Sequence, residues 1–568
     1  MGGAPGARTD PRYLRAAGVL QRITQHHTLR GWEGATHTAA QLAFIEGRAA
    51  MVISGSWMLH EMRGKIPEGF EIGAMNFPVF PEGVADPTTI QVATDSLFAC
   101  TTGDPERERL AIEFLRFLTS RGRAEAFVRR LDAPAAIRGV PLEAFSARMR
   151  QTAALVIAAQ DAFNMPQVML QPPAIRQALI DARIELMGGR ITPEEFGVRV
   201  EAAAAADRAR AADPGRVEYR HPVAGTLLLG GLAAMAAGLW WTNFRRARLG
   251  RVATARRRED RPARHEGHSY FGRLRLRLAF RFIGPAFLLY AGLVLAPALA
   301  ALGWAFTRWD GMAERTWAGG FHFRWLLFES DVFWAALRNN VFLMFVPAAI
   351  VLPLALLLAY LLHRGVWGAH GFRAVFLFPN LLGGIAAALL WQTADHPHGG
   401  LVNAALVGLG DLLHAETLRG FAGHPWLAPQ NLYVALVPIY LWLACGFNLV
   451  LYLAAMEGID PQLYEAAELD GAPAWRQFFF ITLPLIREVI IISLVFIVIA
   501  GLNAFELIWL LTSQEPNTSS HTLGTLMVTT MFKEFDIGRA TAIAVVLFAL
   551  VALASAVVLR GARREGLD

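Results

Sequence analysis

The sequence predicts a helical integral membrane protein that begins with a soluble α/β domain. Its 568 residues are 54% hydrophobic and only 18% charged, whereas soluble proteins usually carry about a quarter charged residues. The shortage of charge is local, because residues 1–220 have the composition of an ordinary soluble domain. Beyond them come several apolar runs of the ~20 residues that are needed to cross about 30 Å of hydrocarbon.

Seven stretches are predicted to span the bilayer. The linker 245–281 between the first two holds thirteen Arg and three acidic residues, so the positive-inside rule predicts that it is cytoplasmic. We then expect an extracytoplasmic N-terminal domain and a cytoplasmic C-terminus. The predicted spans are residues 222–244, 282–307, 340–363, 374–393, 432–453, 488–511 and 540–559.

The N-terminus and the cysteines set further expectations. No apolar signal-peptide region follows Met1, so either the first span acts as a reverse anchor or an upstream piece of the chain is missing. Cys100 and Cys445 are too few for a disulfide framework or a four-ligand metal site. We expect no metal site and no cofactor. The excess of Arg beside membrane spans is explained by topology, so no nucleic acid partner is expected.

Residues 1–220 alternate between helical and strand patterns. A helix is predicted to stop at Gly47, and AAMVISGSW over 49–57 predicts a short strand. Asp104 and Pro105 suit the N-cap and the first position of another helix. The apolar residues of that helix lie on one face, namely Leu110, Phe114, Phe117 and Leu118. These patterns together predict an α/β domain.

The polar stretch 460–484, between two predicted spans, contains start and stop signals for two short helices. Asp460 is a suitable N-cap and Pro461 a suitable first helical residue. Gly471 can adopt the left-handed conformation that ends a helix, and a second helix restarts at Ala472-Pro473. Each helix has an apolar face, formed by Leu463, Ala466 and Ala467 and by Trp475, Phe478 and Phe479. The pattern predicts a cytoplasmic helix–turn–helix parallel to the membrane.

The charges of this stretch favour a protein partner over lipid. Interfacial helices usually present Lys and Arg to anionic lipid. Here five acidic residues, Glu457, Asp460, Glu465, Glu468 and Asp470, stand against Arg476 and Arg487. An acidic surface on the basic side of a membrane therefore indicates a docking surface for another protein.

The spacing of EAA at 465–467, DG at 470–471 and LP at 483–484 resembles the coupling loop of ABC importer permeases of the maltose and glycerol-phosphate type. The stretches NNVFLMFVPAAIVLPLALLLAYLLHR, FRAVFLFPNLLGGIAAALLWQ and FDIGRATAIAVVLFAL are similar to sugar permeases in order and spacing. The resemblance implies the type I importer transmembrane fold for a permease domain over 282–568, with its core at 336–556. Glu488 stands where the family often has Pro.

The resemblance also implies partners in a bacterial inner membrane. These are an ATPase subunit that docks on the hairpin, a second permease subunit, and a sugar or polyol substrate. The implied coupling residues are Glu465, Ala466, Ala467, Asp470, Gly471, Leu483 and Pro484. The sequence has no phosphate-binding G-x-x-x-x-G-K-[ST] loop. We therefore expect a transporter subunit without catalytic residues, which draws its energy from the ATPase partner.

The soluble domain resembles the C-terminal half of an extracellular sugar-binding protein, through FIEGRAAMVISGSW, IGAMNFPVFPEG and TDSLFACTTGDPERERLAIEFLRFLTS. The resemblance covers about 11–206 and leaves out the lobe that would complete the cleft, so a missing lobe or a separate binding protein is a further expected partner. It implies that Trp57 lies under a sugar ring; the alternative is that Trp57 packs in the core. Asp95 and Gln167 resemble cleft positions, with surface capping as the alternative.

Polar residues are few within the predicted spans. Asn448 and Asn503 are candidates, and Glu506 is the only carboxylate well inside a span. Ionisable groups at this depth usually face a cavity or a partner. The stretch that corresponds to NAFELIWLLT lines the translocation cavity in the family, which implies that Asn503 and Glu506 bind sugar. The alternative is that Glu506 is hydrated near the outer interface.

Two other functions are compatible with membrane spans. A ligand-sensing adaptor and an ion-driven secondary transporter are the alternatives, but neither needs an acidic docking hairpin. An ion-coupled carrier would also be expected to show more carboxylates in its spans than Glu506 alone. An importer permease is therefore the favoured prediction.

Overall fold

The structure is a computed structural model in which the chain divides into two compact units, Met1–Asp207 and Arg208–Asp568. It describes residues 6–29, 31–32, 37–76, 86, 88–92, 99–135, 137, 139–160, 162–164, 171–213, 215, 217–259, 281–365 and 368–563.

The first unit is mainly helical in its described residues. Asp104 caps α4 by accepting hydrogen bonds from the backbone N–H groups of Glu106 and Arg107, which confirms the predicted helix start. Gly47 takes a left-handed φ of 72° after α2, as predicted. The helices are α1 (Pro11–His26), α2 (His37–Ile45), α3 (Met58–Glu61), α4 (Pro105–Leu118), α5 (Arg121–Leu131), α6 (Arg150–Ala158), α7 (Pro173–Met187) and α8 (Pro193–Ala212).

Strands contribute little to the described part of this unit. β1 (Ile90–Val92) pairs in parallel with β2 (Ala162–Asn164). The predicted strand at 49–57 is wrong, because residues 51–55 have no regular structure and the side chains of Met51 and Ile53 are each 78% exposed. A strand needs a neighbour for its backbone hydrogen bonds. The sheet of this unit has two strands of three residues each in the described part of the chain. It does not confirm the predicted α/β binding-protein-like domain.

The second unit is a helical bundle with one short hairpin, β3 (Thr307–Arg308) and β4 (Thr316–Trp317). Its helices are α9 (Pro222–Glu259), α10 (Arg281–Trp304), α11 (Phe321–Phe328), α12 (Asp331–His363), α13 (Ala369–Leu381), α14 (Gly383–Ala394), α15 (Leu401–Leu412), α16 (Glu416–Arg419), α17 (Leu432–Glu457), α18 (Pro461–Leu469), α19 (Ala474–Gln477), α20 (Leu483–Leu485), α21 (Arg487–Leu502), α22 (Glu506–Leu511), α23 (Leu523–Phe532) and α24 (Ile537–Arg563).

Five membrane spans, or six, can be identified among the described residues. Five helical segments are long and apolar enough to cross the bilayer: α10, α12, α17, α21 together with α22, and α24. α13 and α14 form a sixth span if the pair, which is bent by 97°, is counted as one. The predicted first span at 222–244 is apolar only over Pro222–Gly238, which is shorter than these helices. The predicted count of seven spans is therefore not confirmed.

Helix α12 is central to the bundle. It packs against α17 and α21, and its buried residues recur every three or four positions from Phe333 to Leu362. It begins at Asp331, upstream of the predicted start at Asn340, because Ser330 caps it by accepting a hydrogen bond from the Phe333 N–H. Pro347 and Pro353 lie inside the helix without ending it. The bundle is thus organised around one long, largely apolar helix.

Candidate functional site

The residues predicted to form a coupling loop fold into a helical hairpin, residues 460–485, between α17 and α21. Asp460 accepts a hydrogen bond from the Gln462 N–H at 3.0 Å and caps α18. Gly471 makes the turn with a left-handed φ of 75°, and α19 begins after Pro473. A π-helical turn (Phe478–Thr482) and α20 complete the hairpin. The predicted caps and turn are confirmed.

Contacts within the hairpin hold its two arms together. The hydroxyl groups of Tyr464 and Thr482 share a hydrogen bond of 2.8 Å. Gln477 donates from Nε2 to the carbonyl oxygen of Ala472 at 3.1 Å. Thr482 and Gln477 are both buried. The Tyr464–Thr482 bond joins the two arms, and the Gln477–Ala472 bond braces the segment after the turn.

The hairpin is attached to the end of α12. Tyr360 donates from its hydroxyl to the carbonyl oxygen of Ala474 at 3.0 Å, and its ring centroid lies 4.7 Å from that of Phe478. Arg364, which follows α12, donates to Gln477 Oε1 at 3.5 Å. The hairpin is therefore bonded directly to the end of α12.

The outer surface of the hairpin is both apolar and acidic. The side chains of Leu469 and Phe480 are 91% and 73% exposed. Three carboxylates are also exposed and make no ion pair among the described residues: Glu465, Glu468 and Asp470. Three residues of the predicted apolar faces, Leu463, Trp475 and Phe479, are exposed as well. In this chain by itself, the apolar surface is left uncovered, which is typical of an interaction site.

A second feature is a break in the span Arg487–Leu511. α21 ends at Leu502 and α22 begins at Glu506, with three non-helical residues between them. Asn503 lies in this break and Glu506 directly follows it, and both are exposed. A helix end within the membrane leaves carbonyl groups that need donors from elsewhere.

Asn340 of α12 supplies those donors. Its Nδ2 donates to the carbonyl oxygens of Gly501 at 2.8 Å and Leu502 at 3.0 Å. Its Oδ1 accepts from the Leu523 N–H at 2.8 Å. The side chain is completely buried. One amide thus caps the last carbonyl groups of α21 and the first N–H group of α23 at the same time.

Asn339 extends this network. Its Nδ2 donates to the carbonyl oxygens of Ser519 and His521, at 2.8 Å each. Burial, with a smaller effect from Lys533, lowers the pKa of His521 to about 3, so its ring is neutral here. The sequence interpretation missed both asparagines as site residues. The available signal was a pair of adjacent amides at the start of an apolar run.

Glu506 lies against the bend between α13 and α14. A Cβ atom placed on Gly384 would stand 2.3 Å from Glu506 Oε2, so the carboxylate occupies the space that a side chain would need. Among the described residues Glu506 makes no hydrogen bond or ion pair. Because an unpaired carboxylate within a span is costly in lipid, it is expected to face water or a partner. Asn448, by contrast, is buried and donates to Ala444 in its own helix.

The site residues predicted in the first unit are only partly described. Trp57 precedes α3, is 47% exposed and donates from Nε1 to His37 Nε2 at 3.3 Å, so it is not buried in a core. Asp95 and Gln167 lie outside the described residues. A half-open cavity of about 160 Å³ does not include Trp57 and is lined by Leu59, His60, Arg63, Gly64, Ile66, Leu131, Asp132 and Arg148. Within the described residues, no cluster of His, Cys, Asp or Glu could hold a metal ion.

The bundle, the broken span and the hairpin define a multi-pass membrane protein. Residues 332–564 match the family described as "Binding-protein-dependent transport system inner membrane component". The diacetylchitobiose uptake system permease protein NgcF of Streptomyces coelicolor is 31% identical over 54% of this chain and 88% of its own length. The chain belongs to this family of ABC permeases and is a transporter component of the inner membrane, not an enzyme.

Two further relatives are each similar to part of the chain. The probable ABC transporter permease protein PH1215 of Pyrococcus horikoshii is 32% identical over 46% of this chain and 92% of its own length. The sulfoquinovosyl glycerol transport system permease protein SmoG of Agrobacterium fabrum is 34% identical over 42% of this chain and 75% of its own length.

Proposed function

We propose that this chain is the permease subunit of an ATP-driven importer for a sugar or a related polyol. The observation that carries the proposal is the hairpin, residues 460–485, whose apolar and acidic outer surface is uncovered in this chain. The names of the relatives support a sugar, since two of them serve diacetylchitobiose and sulfoquinovosyl glycerol.

The hairpin docks on a separate ATPase subunit in this proposal. The exposed Leu469 and Phe480 would enter an apolar groove of the ATPase, and Glu465 and Asp470 would meet its basic side chains. Ala466 and Ala467 permit close approach because their side chains are small. Gly471 makes the turn, while Leu483 and Pro484 pass the movement into α21. The contact between hairpin and α12 supports this role.

The substrate passes the break in the span Arg487–Leu511. Asn503 and Glu506 are exposed there and offer an amide and a carboxylate to sugar hydroxyl groups. The position of Glu506 over the glycine backbone of a second bent span supports a narrow polar passage. A second permease subunit, in this proposal, closes the other side of the passage.

The proposed topology has the hairpin and the C-terminus in the cytoplasm and the N-terminal domain outside. Asp331, at the opposite end of α12 from the hairpin, contacts Arg220 at 3.1 Å and His221 at 2.8 Å. Arg210 forms an ion pair with the buried Glu329. These contacts support placing Arg210, Arg220 and His221 on the external side, with α9 leading inward to the Arg-rich linker over 245–281.

The N-terminal domain, residues 1–220, is in this proposal the C-terminal half of a sugar-binding protein. The half-exposed Trp57 supports it, since an accessible indole ring can stack on the C–H face of a sugar. Asp95 and Gln167 remain candidate contacts. A missing lobe or a separate binding protein would complete the cleft.

Reconstitution in liposomes tests the importer. We expect uptake of radiolabelled diacetylchitobiose, or of another sugar from a panel of disaccharides and polyols, to require this chain, its ATPase and a second permease together, with a sugar-binding protein supplied outside. ATP hydrolysis should rise when the sugar is present. Uptake by this chain without an ATPase would overturn the proposal.

The role of Trp57 is tested separately by titration calorimetry on the full chain in detergent. We expect Trp57→Ala to weaken sugar binding about tenfold, because loss of an aromatic platform removes roughly 1–1.5 kcal/mol of contact. Phe127→Ala, at another exposed aromatic residue of the same unit, serves as the control and should leave binding unchanged. Equal titrations of wild type and Trp57→Ala would show that Trp57 is not a binding residue.

A further inference from the structure

One helix of the bundle contacts both parts of the candidate site. α12 touches the hairpin through Tyr360 and, near its other end, the break in the neighbouring span through Asn340. The two residues are separated by 20 positions, or about 30 Å along an α-helix. Tyr360 contacts the backbone of the hairpin, and Asn340 contacts the backbone at the break. A movement of the hairpin could therefore reach the break through α12.

The contact at the break fixes the position of the groups beside it. Asn340 bonds to the last two carbonyl groups of α21 and to the first N–H group of α23. Asn503 directly follows those carbonyl groups. No second donor to the oxygens of Gly501 and Leu502 is found among the described residues. Asn340 therefore fixes where α21 stops. Inside the break, the Thr522 hydroxyl donates to the carbonyl oxygen of Ala504 at 2.7 Å. Thr522 is the residue before Leu523, which Asn340 also binds, so both sets of bonds position Asn503 and Glu506.

The backbones of the two helices also meet at this point. A Cβ atom on Gly501 would stand 2.7 Å from Met344 N and 2.8 Å from Leu343 O. The helices thus touch without intervening side chains, next to the hydrogen bonds of Asn340. Such close packing leaves little room for α21 to slide along α12.

The stretch of α12 between its two contacts is continuous and buried on one side. Its buried residues form an unbroken row from Leu343 through Val351 and Ala359. Pro347 and Pro353 remove two backbone hydrogen bonds, yet the helix continues through both. A movement applied at Tyr360 can therefore reach Asn340 through the same helix.

We propose that α12 links the hairpin to the break, and that Asn340 is the positioning residue that makes Asn503 and Glu506 follow the hairpin. This inference rests on the proposed coupling of the hairpin to an ATPase. When the ATPase displaces the hairpin, Tyr360 shifts the end of α12. Asn340 then carries the end of α21 and the start of α23 with it, which changes the exposure of the passage.

The test measures the accessibility of the break in the assembled importer. Asn503→Cys is introduced together with Cys100→Ser, which removes the exposed native thiol, and is labelled with a membrane-impermeant maleimide. We expect a non-hydrolysable ATP analogue to change the labelling rate in this background. Asn340→Leu should reduce that nucleotide-dependent change about tenfold, because it removes three buried hydrogen bonds.

The same substitution, without the reporter cysteine, should separate transport from hydrolysis. We expect Asn340→Leu to lower sugar uptake per ATP about tenfold while ATP hydrolysis stays within about twofold of wild type. Asn448→Leu is the matched control, since Asn448 is also a buried amide but bonds only to Ala444 in its own helix. The control should retain both the labelling response and the uptake.

Tyr360→Phe tests the other end of the helix without disturbing the core. It removes the bond to Ala474 and keeps the ring beside Phe478. We expect a lower ratio of uptake to hydrolysis, and this variant decides the matter if Asn340→Leu does not insert. An unchanged ratio in Tyr360→Phe, an unchanged labelling response in Asn340→Leu, or an equal loss in Asn448→Leu would overturn the inference. If the wild-type complex itself shows no ATP-dependent uptake, the proposed function fails instead.

Discussion

The hairpin and the break are held in place by opposite means. Within the hairpin the bonds are local: Tyr464 and Thr482 are 18 residues apart, and Gln477 and Ala472 only 5. At the break, one bond joins Thr522 to Ala504, also 18 residues apart. The bonds of Asn340 span 161 residues to Gly501 and 183 to Leu523. The two arms of the hairpin are therefore joined by a local bond, whereas the bonds of Asn340 at the break form only once the bundle has assembled.

This difference fits the two roles proposed for these regions. A docking element needs a fixed shape before it meets its partner, because less ordering then opposes binding. A passage that opens and closes needs positions that depend on neighbouring helices. Variants in the hairpin should thus act through its shape or surface, and variants at the break through contacts between helices.

The largest effect is expected from Gly471→Pro, which changes the turn of the hairpin. Gly471 has a φ of 75°, and proline is restricted to about −65°, so the turn cannot form without strain of about 3 kcal/mol. Sugar uptake in liposomes should fall about a hundredfold, since every 1.4 kcal/mol is a factor of ten. Gly471→Asn is the control, because Asn tolerates the left-handed region. Normal uptake with Gly471→Pro would mean that this turn has no role in coupling.

The sequence predicted the hairpin well, because its signals are local, and the break poorly, because its main bonds join distant parts of the chain. The N-cap Asp460, the turn at Gly471 and the restart after Pro473 are local signals that need no tertiary contact, and all are confirmed. Asn503 and Glu506 were predicted because polar groups stand out in an apolar run, and their role in the site stays a prediction. Asn340 was not, because nothing within its own stretch of sequence shows that it bonds to residues more than 160 positions away.

The surface of the hairpin is tested by Glu465→Lys. Its carboxylate is exposed and forms no ion pair within the described chain, so reversing its charge should leave the fold intact. We expect about a tenfold loss of uptake, because a like charge would then face the basic partner surface. Glu488→Lys, an exposed acidic residue beyond the hairpin, is the control. Wild-type uptake by Glu465→Lys at low ionic strength would show that shape alone couples the hairpin.

Gly384→Ala probes the tight packing at the break. The new methyl group would stand 2.3 Å from Glu506 Oε2 and must push the carboxylate away. We expect the apparent KM for sugar to rise severalfold while the amount of inserted protein is unchanged. Gly371→Ala in α13 is the matched control, since a Cβ atom there meets nothing within 4 Å. An equal KM in both variants would place Glu506 outside the sugar path.

The smallest effect is expected at Asp395, which directly follows α14. Like Asn340 its side chain is buried, but unlike Asn340 it has a polar atom without a hydrogen-bond partner. Its side chain is buried, and Oδ2 has no hydrogen-bond partner. Burial raises the pKa of Asp395 from 3.8 to about 7. As the pH rises through this interval, the unfolded chain loses the proton first, so the folded state loses stability up to about pH 7.

Asp395→Asn removes this ionisation and keeps the shape of the side chain. We expect its Tm in detergent to exceed that of wild type by a few degrees at about pH 8, with a smaller difference at about pH 4.5. Asp411→Asn, at an exposed aspartate that forms an ion pair with Arg419, is the control and should show no such gain at high pH. A wild-type Tm that does not fall relative to Asp395→Asn between these pH values would mean that Asp395 is solvated in the protein. Asp395 would then differ from Asn340 only in making fewer hydrogen bonds, and not in carrying a buried carboxylate without partners.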